Sequence, residues 1–290
     1  MFTGAMVALV TPFHEGKVDF ETLDELVDFQ LDNGIDAIVP VGTTGECPTL
    51  SHEEHKQVVE RVVKRVAGAT PVIAGAGSNS TAEAIELTVY AKRIGADATL
   101  QVCPYYNKPS QEGFHRHFKT IADEVDLPMV LYNIPGRCGA GLTPETIARL
   151  DEHENIVAIK EATGSLDQAS EIAMRCDITI LSGDDSLTLP LASIGGKGVI
   201  SVVANIVPAD VKAMTDLILE GDLVKARQWH RKLFALSKNM LTLATNPIPI
   251  KAAMAMLDMC SDELRLPMTP LEDSKKAALH KTLEEYGLLS

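Results

Sequence analysis

Eight short apolar runs, each ending at Gly, Pro, Asn or Thr or at a charged residue, constrain this 290-residue chain more than any other feature. They cover residues 6–10, 37–41, 71–74, 98–102, 128–132, 156–160, 178–182 and 198–203. Each is too short for a helix, and several are rich in branched side chains, as in strands buried on both faces of a parallel sheet. Helical periodicity fills the gaps. Leu23, Leu26, Val27 and Leu31 share one face, as do Val58, Val59, Val62, Val63 and Val66, and then Ala84, Leu87, Ala91 and Ile94. Ser51 before His52-Glu53-Glu54 and Thr143 before Pro144-Glu145 read as N-caps, and Gly34, Gly95 and Gly195 stand where helices should end.

Strand and helix alternating eight times at roughly 20 to 35 residues per unit predicts α/β architecture, a (β/α)8 TIM barrel. An open doubly wound sheet is the alternative. It normally has fewer strands and a glycine-rich first turn, whereas the first turn here is Thr11-Pro12-Phe13. Beyond Gly221 only helical periodicity remains, over 223–243, 250–259 and 273–286, broken at Asn246-Pro247-Ile248-Pro249. The expected division is a catalytic barrel over 1–222 and a small all-helical domain over 223–290, with no Gly/Ser linker between them.

Composition narrows the function. A net charge of −14 argues against nucleic acid and anionic membranes as partners. The five scattered cysteines lack C-x-x-C spacing, which fits reduced thiols rather than a disulfide framework or a zinc ribbon. Met1-Phe2-Thr3-Gly4 has no basic signal-like region, and no apolar run approaches the ~20 residues of a membrane span. The expectation is a cytoplasmic protein.

Barrel chemistry sits at the C-terminal ends of the strands. There the sequence offers Thr43 and Thr44 after the second run, Tyr105 and Tyr106 after the fourth, Tyr132 and Arg137 at and after the fifth, Lys160 at the sixth and Ile200 in the eighth. Lys160 ends the run Ile156-Val157-Ala158-Ile159, where burial of an ammonium is costly and a neutral, nucleophilic amine is favoured. Taken alone, Lys160 could leave the sheet and pair with a carboxylate, Thr43 and Thr44 could cap a turn, Tyr132 could bond to backbone, and Arg137 could be a loop arginine. Their convergence on one barrel end favours a site with a nucleophilic amine, hydroxyls to relay a proton and a cation to clamp a carboxylate. His52-Glu53-Glu54-His55 is not a zinc-binding H-E-x-x-H, since position 56 is Lys56. Gly42-Thr43-Thr44-Gly45 lacks the Gly-Lys-Ser/Thr ending of a P-loop.

Gly42-Thr43-Thr44-Gly45-Glu46, Tyr132-Asn133-Ile134-Pro135-Gly136-Arg137, Lys160-Glu161-Ala162-Thr163-Gly164 and Pro104-Tyr105-Tyr106-Asn107-Lys108-Pro109 resemble signatures of the dihydrodipicolinate synthase family. That family lies among the pyruvate-dependent class I aldolases that include N-acetylneuraminate lyase. The likeness runs through the whole chain, Asn246-Pro247-Ile248-Pro249-Ile250-Lys251 included.

The resemblance implies that Lys160 forms an imine with pyruvate and that its enamine attacks aspartate 4-semialdehyde. Tyr132, Thr44 and Tyr106 would relay protons, with Tyr106 reaching into a neighbouring subunit's site. Thr43 and Thr44 would hold the pyruvate carboxylate, Arg137 the carboxylate of the aldehyde, and Gly183 and Ile200 would line the pyruvate site. It further implies a homo-oligomer, with a dimer as the minimum unit and a tetramer usual. No metal and no cofactor are called for, because the amine itself serves as electron sink. His52, His55, Asn79, Glu83 and Tyr105 match a site at which lysine inhibits some members, although Cys47 and Pro48 stand where small Ser and Ala residues are common there. A sugar-acid lyase of the same superfamily is the alternative that Arg137 weighs against. A barrel retained only for binding is the alternative that Lys160, Tyr132 and Thr44 weigh against.

Overall fold

The computed structural model describes residues 2–290. Eight parallel strands carry the fold: β1 (Gly4–Ala8), β2 (Ala37–Val39), β3 (Ile73–Gly75), β4 (Ala98–Val102), β5 (Met129–Asn133), β6 (Ile156–Glu161), β7 (Thr179–Ser182) and β8 (Gly198–Ser201). Each pairs with its sequence neighbour, β8 pairs with β1, and a parallel bridge between Ile38 and Val72 joins β2 to β3. The result is the TIM barrel that the periodicity predicts. A two-stranded hairpin, Phe13–His14 with Lys17–Val18, covers the connection after β1.

The helices around the barrel are α1 (Phe20–Asp32), α2 (His52–Val66), α3 (Thr81–Ile94), α4 (Gln111–Glu124), α5 (Pro144–Asp151), α6 (Leu166–Arg175), α7 (Thr188–Ala192) and α8 (Pro208–Leu219). Ser51 forms a full capping box with Glu54 at the start of α2, and the Thr143 side chain accepts from the Thr146 amide at the start of α5. Gly95 ends α3 at φ +87°, a conformation open to glycine at little cost. Three further helices follow: α9 (Leu223–Thr242), α10 (Ile248–Met256) and α11 (Asp273–Tyr286).

Side-chain alternation along the strands divides the core. Met6, Ala8, Val39, Ile73, Leu100, Val130, Tyr132, Ala158, Leu181 and Ile200 fill the barrel interior. The opposite strand faces pack against helices in two outer clusters. One of these runs without a break from Val7, Leu9 and Ile38 to Leu233, Leu236, Ile250, Leu279 and Leu283, so α9 to α11 share a core with the barrel.

Three strands end sooner than their apolar runs, β1 after Ala8 among them, and the other two endings shape the site. The 37–41 run leaves the sheet after Val39, because Pro40 has no N–H for the ladder and Val41 adopts φ +57°. The 198–203 run leaves after Ser201. There the buried Asp185 carboxylate accepts from the Val202 and Val203 amides at 2.9 and 3.3 Å and from the Ser201 hydroxyl, turning the chain into a 3-10 turn over Val203–Asn205.

Candidate active site

Residues 158, 160 and 162 alternate with 157, 159 and 161 across β6, and this alternation turns Lys160 into the barrel. Lys160 is 5% exposed. Its register partner on β5 is Tyr132, and Lys160 Nζ lies 4.2 Å from the Tyr132 ring centroid. A phenol and an amine placed side by side on adjacent parallel strands suit proton exchange around a carbon bound to the amine. Next in the sheet comes β7, whose continuation brings Gly183 against β6. A Cβ at Gly183 would lie 2.5 Å from Ala162 Cβ, so only glycine allows this approach. Ile200, wholly buried, closes the interior beside it.

Thr43 and Thr44 stand on the loop after β2. Thr44 is buried, and its Oγ1 accepts from Asn246 Nδ2 at 3.0 Å. With an acceptor position of the hydroxyl filled, its proton remains for donation. Arg137, on the short helical turn Pro135–Cys138, donates from Nη2 to the Asn246 carbonyl at 2.9 Å. Asn246 therefore ties the threonine loop to the arginine from the segment between α9 and α10. Its Oδ1 is buried without a protein partner.

A cavity of about 400 Å³ opens here. Thr43, Cys47, His55, Tyr105, Tyr132 and Arg137 line it. Burial pushes the Cys47 thiol up to about 11, against the pull of Arg137, and burial does the same for Cys138 in the same wall. Both thiols are protonated at neutral pH, and thiolate, not thiol, is the nucleophile of cysteine chemistry. Asp184, just beyond β7, is half-buried near Lys160. Burial raises its carboxyl above the ordinary range, while the charge of Lys160 opposes the rise.

Four of the five residues compared with a lysine-sensitive site interact in pairs, one between the starts of α2 and α3 and one between the loops after β3 and β4. His52 Nε2 lies 3.1 Å from Glu83 Oε1, and Glu83 also accepts from Ser78 Oγ. Asn79 Nδ2 donates to the Tyr105 carbonyl at 3.2 Å. His55 Nε2 meets the Gly75 carbonyl at 2.7 Å, and burial lowers the imidazole's proton affinity, so His55 is a neutral donor there. Tyr106 stands apart from Lys160, Tyr132 and Thr44: its side chain is 91% exposed and its backbone has φ +70°.

The sequence reading passed over Asn246, Asp184 and the partnership of Glu46 with Lys251. Lys251 Nζ donates to Glu46 Oε1 at 2.6 Å, with both side chains sealed from solvent. One signal was present: Lys251 interrupts an otherwise apolar helix, Ile248-Pro249-Ile250 before it and Ala252-Ala253-Met254 after it, and such a charge needs a buried partner.

Fold and site together define a (β/α)8-barrel lyase with a buried lysine amine against the tyrosine ring that lines its cavity. The chain belongs to the dihydrodipicolinate synthetase family, whose model matches residues 1–286. It is 55% identical over 291 residues to the 4-hydroxy-tetrahydrodipicolinate synthase of Pelobacter propionicus, covering 100% of both chains. The dihydrodipicolinate synthase of Acinetobacter baumannii, solved in complex with pyruvate, superposes with a TM-score of 0.97 at 41% identity, over 100% of each chain. The enzyme of Cyanidioschyzon merolae, solved with lysine bound, gives 0.96 at 43% identity, over 99% of each. Among the described residues no helix is long and apolar enough to cross a membrane.

Proposed function

We propose that this chain condenses pyruvate with aspartate 4-semialdehyde to give 4-hydroxy-tetrahydrodipicolinate, the committed step of lysine and diaminopimelate biosynthesis. The observation that carries the reading is Lys160, buried at the barrel mouth with its amine against the Tyr132 ring. Family membership at 55% identity over the full chain supports the substrates.

In this reading Lys160 Nζ adds to the keto carbon of pyruvate, and loss of water gives an imine. The imine withdraws electrons from the adjacent methyl, which loses a proton through the Tyr132 hydroxyl to the relay and becomes an enamine carbon. That carbon attacks the aldehyde carbon of the second substrate, and the new alkoxide takes up a proton. The amine of the adduct then attacks the imine carbon, closes the ring and expels Lys160 Nζ. The net change is pyruvate plus aldehyde to product plus one water. Thr44, its Oγ1 already accepting from Asn246, donates toward the phenol and connects it with the solvent side. Thr43 and Thr44 hold the pyruvate carboxylate. Arg137 holds the carboxylate of the aldehyde, a planar fork against a planar anion. Gly183 and Ile200 line the pyruvate pocket.

Tyr106 acts in the site of a second copy, which accounts for its exposure and its strained backbone. The working unit is then a dimer, and a tetramer forms as two dimers, which sedimentation at micromolar protein measures. His52, His55, Asn79, Glu83 and Tyr105 take lysine as inhibitor. Their acceptors suit its two ammonium groups, and the cavity that His55 and Tyr105 share with Tyr132 and Arg137 supplies the connection. Activity unaltered by millimolar lysine would remove this regulatory role.

The test of the reaction is borohydride reduction in saturating pyruvate followed by peptide mass analysis. A reduced pyruvyl adduct on Lys160 is expected. A folded protein without adduct refutes the mechanism.

A further inference from the structure

Glu46 closes the loop that carries Thr43 and Thr44, and both of its carboxylate oxygens are engaged within the protein. Oε1 accepts from Lys251 Nζ at 2.6 Å and Oε2 from the Arg265 amide at 3.2 Å. Lys251 is 0% exposed and Glu46 2%. The ammonium also donates to the Glu263 carbonyl at 2.7 Å, and it sits 4.2 Å from the centroid of the Phe13 ring, whose face attracts a cation. Two charges have been taken out of water, and the ammonium and both carboxylate oxygens have hydrogen-bond partners within the protein. A buried pair of this kind adds little stability over well-packed apolar side chains; its best-attested use is to fix a register.

The register in question is that of the threonine loop. Glu46 has φ +55°, in the left-handed region, and its amide donates to the Thr43 carbonyl at 3.1 Å. Gly45, just before it, has no room for a side chain: a Cβ there would lie 2.9 Å from the Val41 amide nitrogen. Thr11 Oγ1 donates to the Gly45 carbonyl at 2.7 Å. The turn is thus tight and its C-terminal end is held by one carboxylate. Five residues before Lys251 in the chain, Asn246 holds the same turn at Thr44. A single segment after the barrel, residues 246–265, grips the loop at two points.

We propose that Glu46 and Lys251 are positioning residues for the first substrate: their buried pair locks this segment onto the 42–46 turn and sets where Thr43 and Thr44 meet the pyruvate carboxylate. The inference rests on the assignment of Thr43 and Thr44 to that carboxylate. Neither Glu46 nor Lys251 touches a reacting atom.

The experiment compares wild type with the neutral double variant Glu46→Gln/Lys251→Met. Gln keeps an acceptor for the Arg265 amide, and Met fills the lysine's channel beside Phe13. A second variant, Glu46→Asp, retains the charge pair and shortens one arm by a methylene, reading position apart from charge. Each is assayed by thermal melting, by the pyruvate dependence of borohydride trapping on Lys160, and by KM for both substrates. A misplaced binding group can cost about 100-fold. We expect both variants to melt cooperatively, half-saturating pyruvate to rise about 10-fold or more, and KM for the aldehyde to move less than about 3-fold. Pyruvate saturation within about 2-fold of wild type in either folded variant overturns the proposal, as do equal rises for the two substrates, which indicate general loosening. If the double variant does not fold, Glu46→Asp alone decides. Absence of the adduct in wild type overturns both this inference and the reading of the site. Absence of a pyruvate-selective change in the variants overturns this inference only.

Discussion

Substitution at Asn246 separates the donor role of its side chain from the support its backbone gives Arg137. In Asn246→Asp the side chain keeps its shape but loses its N–H donors. The contact at 3.0 Å then survives only if Thr44 donates to the new carboxylate, which withdraws the threonine proton from the relay. The Arg137 contact is to the Asn246 carbonyl at 2.9 Å and is a backbone bond that the substitution leaves in place. Proton transfer by a positioned group is worth about 100-fold or more, or roughly 3 kcal/mol, so kcat should fall by about that factor. Asn246→Ala removes the contact without reversing it. One neutral hydrogen bond is worth about 1 kcal/mol, and Oδ1, already without a partner, is removed along with it, so kcat should fall about 5-fold with little loss of stability. The assay is steady-state turnover at saturating pyruvate and aldehyde, with KM for each. The ordering Asp below Ala below wild type in kcat, at nearly constant aldehyde KM, is the expected outcome. An Asp variant more active than the Ala variant would refute the donor assignment for Thr44, and a rise in aldehyde KM exceeding the fall in kcat would move Asn246 from the relay to aldehyde binding.

Arg137→Ala should raise KM for aspartate 4-semialdehyde by about 10-fold or more and leave pyruvate trapping on Lys160 within about 3-fold, consistent with loss of a charge-assisted bidentate contact; equal changes for both substrates would count against its role. Gly183→Ala must move β7 away from β6, since the new methyl would lie 2.5 Å from Ala162 Cβ. Stability should drop by about 1–3 kcal/mol in denaturant unfolding, with weakened pyruvate binding. Glu54, bound by the Arg265 guanidinium, has its carboxyl lowered from 4.5 to about 2. The folded form binds the proton less well than the unfolded form, so the stabilisation is present above pH 4.5 and is lost as pH falls toward 2. Glu54→Gln should therefore be less stable than wild type at pH 6 and indistinguishable from it near pH 2, and a difference independent of pH would show that the contact is not ionic.

The barrel was legible because its signal is local and repeated: apolar runs of strand length, each bounded by turn residues, separated by stripes of helical period. The reading overran β1, β2 and β8 for one reason. Val10, Val41, Val202 and Val203 are as apolar as the strands they follow, and hydrophobicity does not report that the Val10 amide goes to Asn205 Oδ1, that Pro40 lacks a donor or that Asp185 collects two amides. Lys160 was legible because a lone charge at the end of a buried strand is anomalous at one glance. Its pairing with Tyr132 follows from register once the sheet order is known. The grip of residues 246–265 was not legible. Asn246 and Thr44 are separated by 202 positions, Lys251 and Glu46 by 205, and no periodicity spans that distance. Tyr106 shows a different limit, since its exposed position on one chain gives no sign from within that chain of what it faces.

The unbroken apolar cluster from Val7 to Leu283 has a consequence for the order of events during synthesis. A ribosome that has made the first 222 residues has delivered all eight strands but not the side chains of Leu233, Leu236, Ile250 and Leu279 that complete the apolar cluster on one flank of the barrel. Such a nascent barrel presents a greasy flank to its surroundings and lacks Asn246 and Lys251 beside its threonine loop. Contacts of so long a range are made late and close large loops, which slows folding and lengthens exposure to aggregation. Catalytic competence would then arrive only with the final helices, so that a prematurely terminated chain is both inactive and a natural client for chaperones.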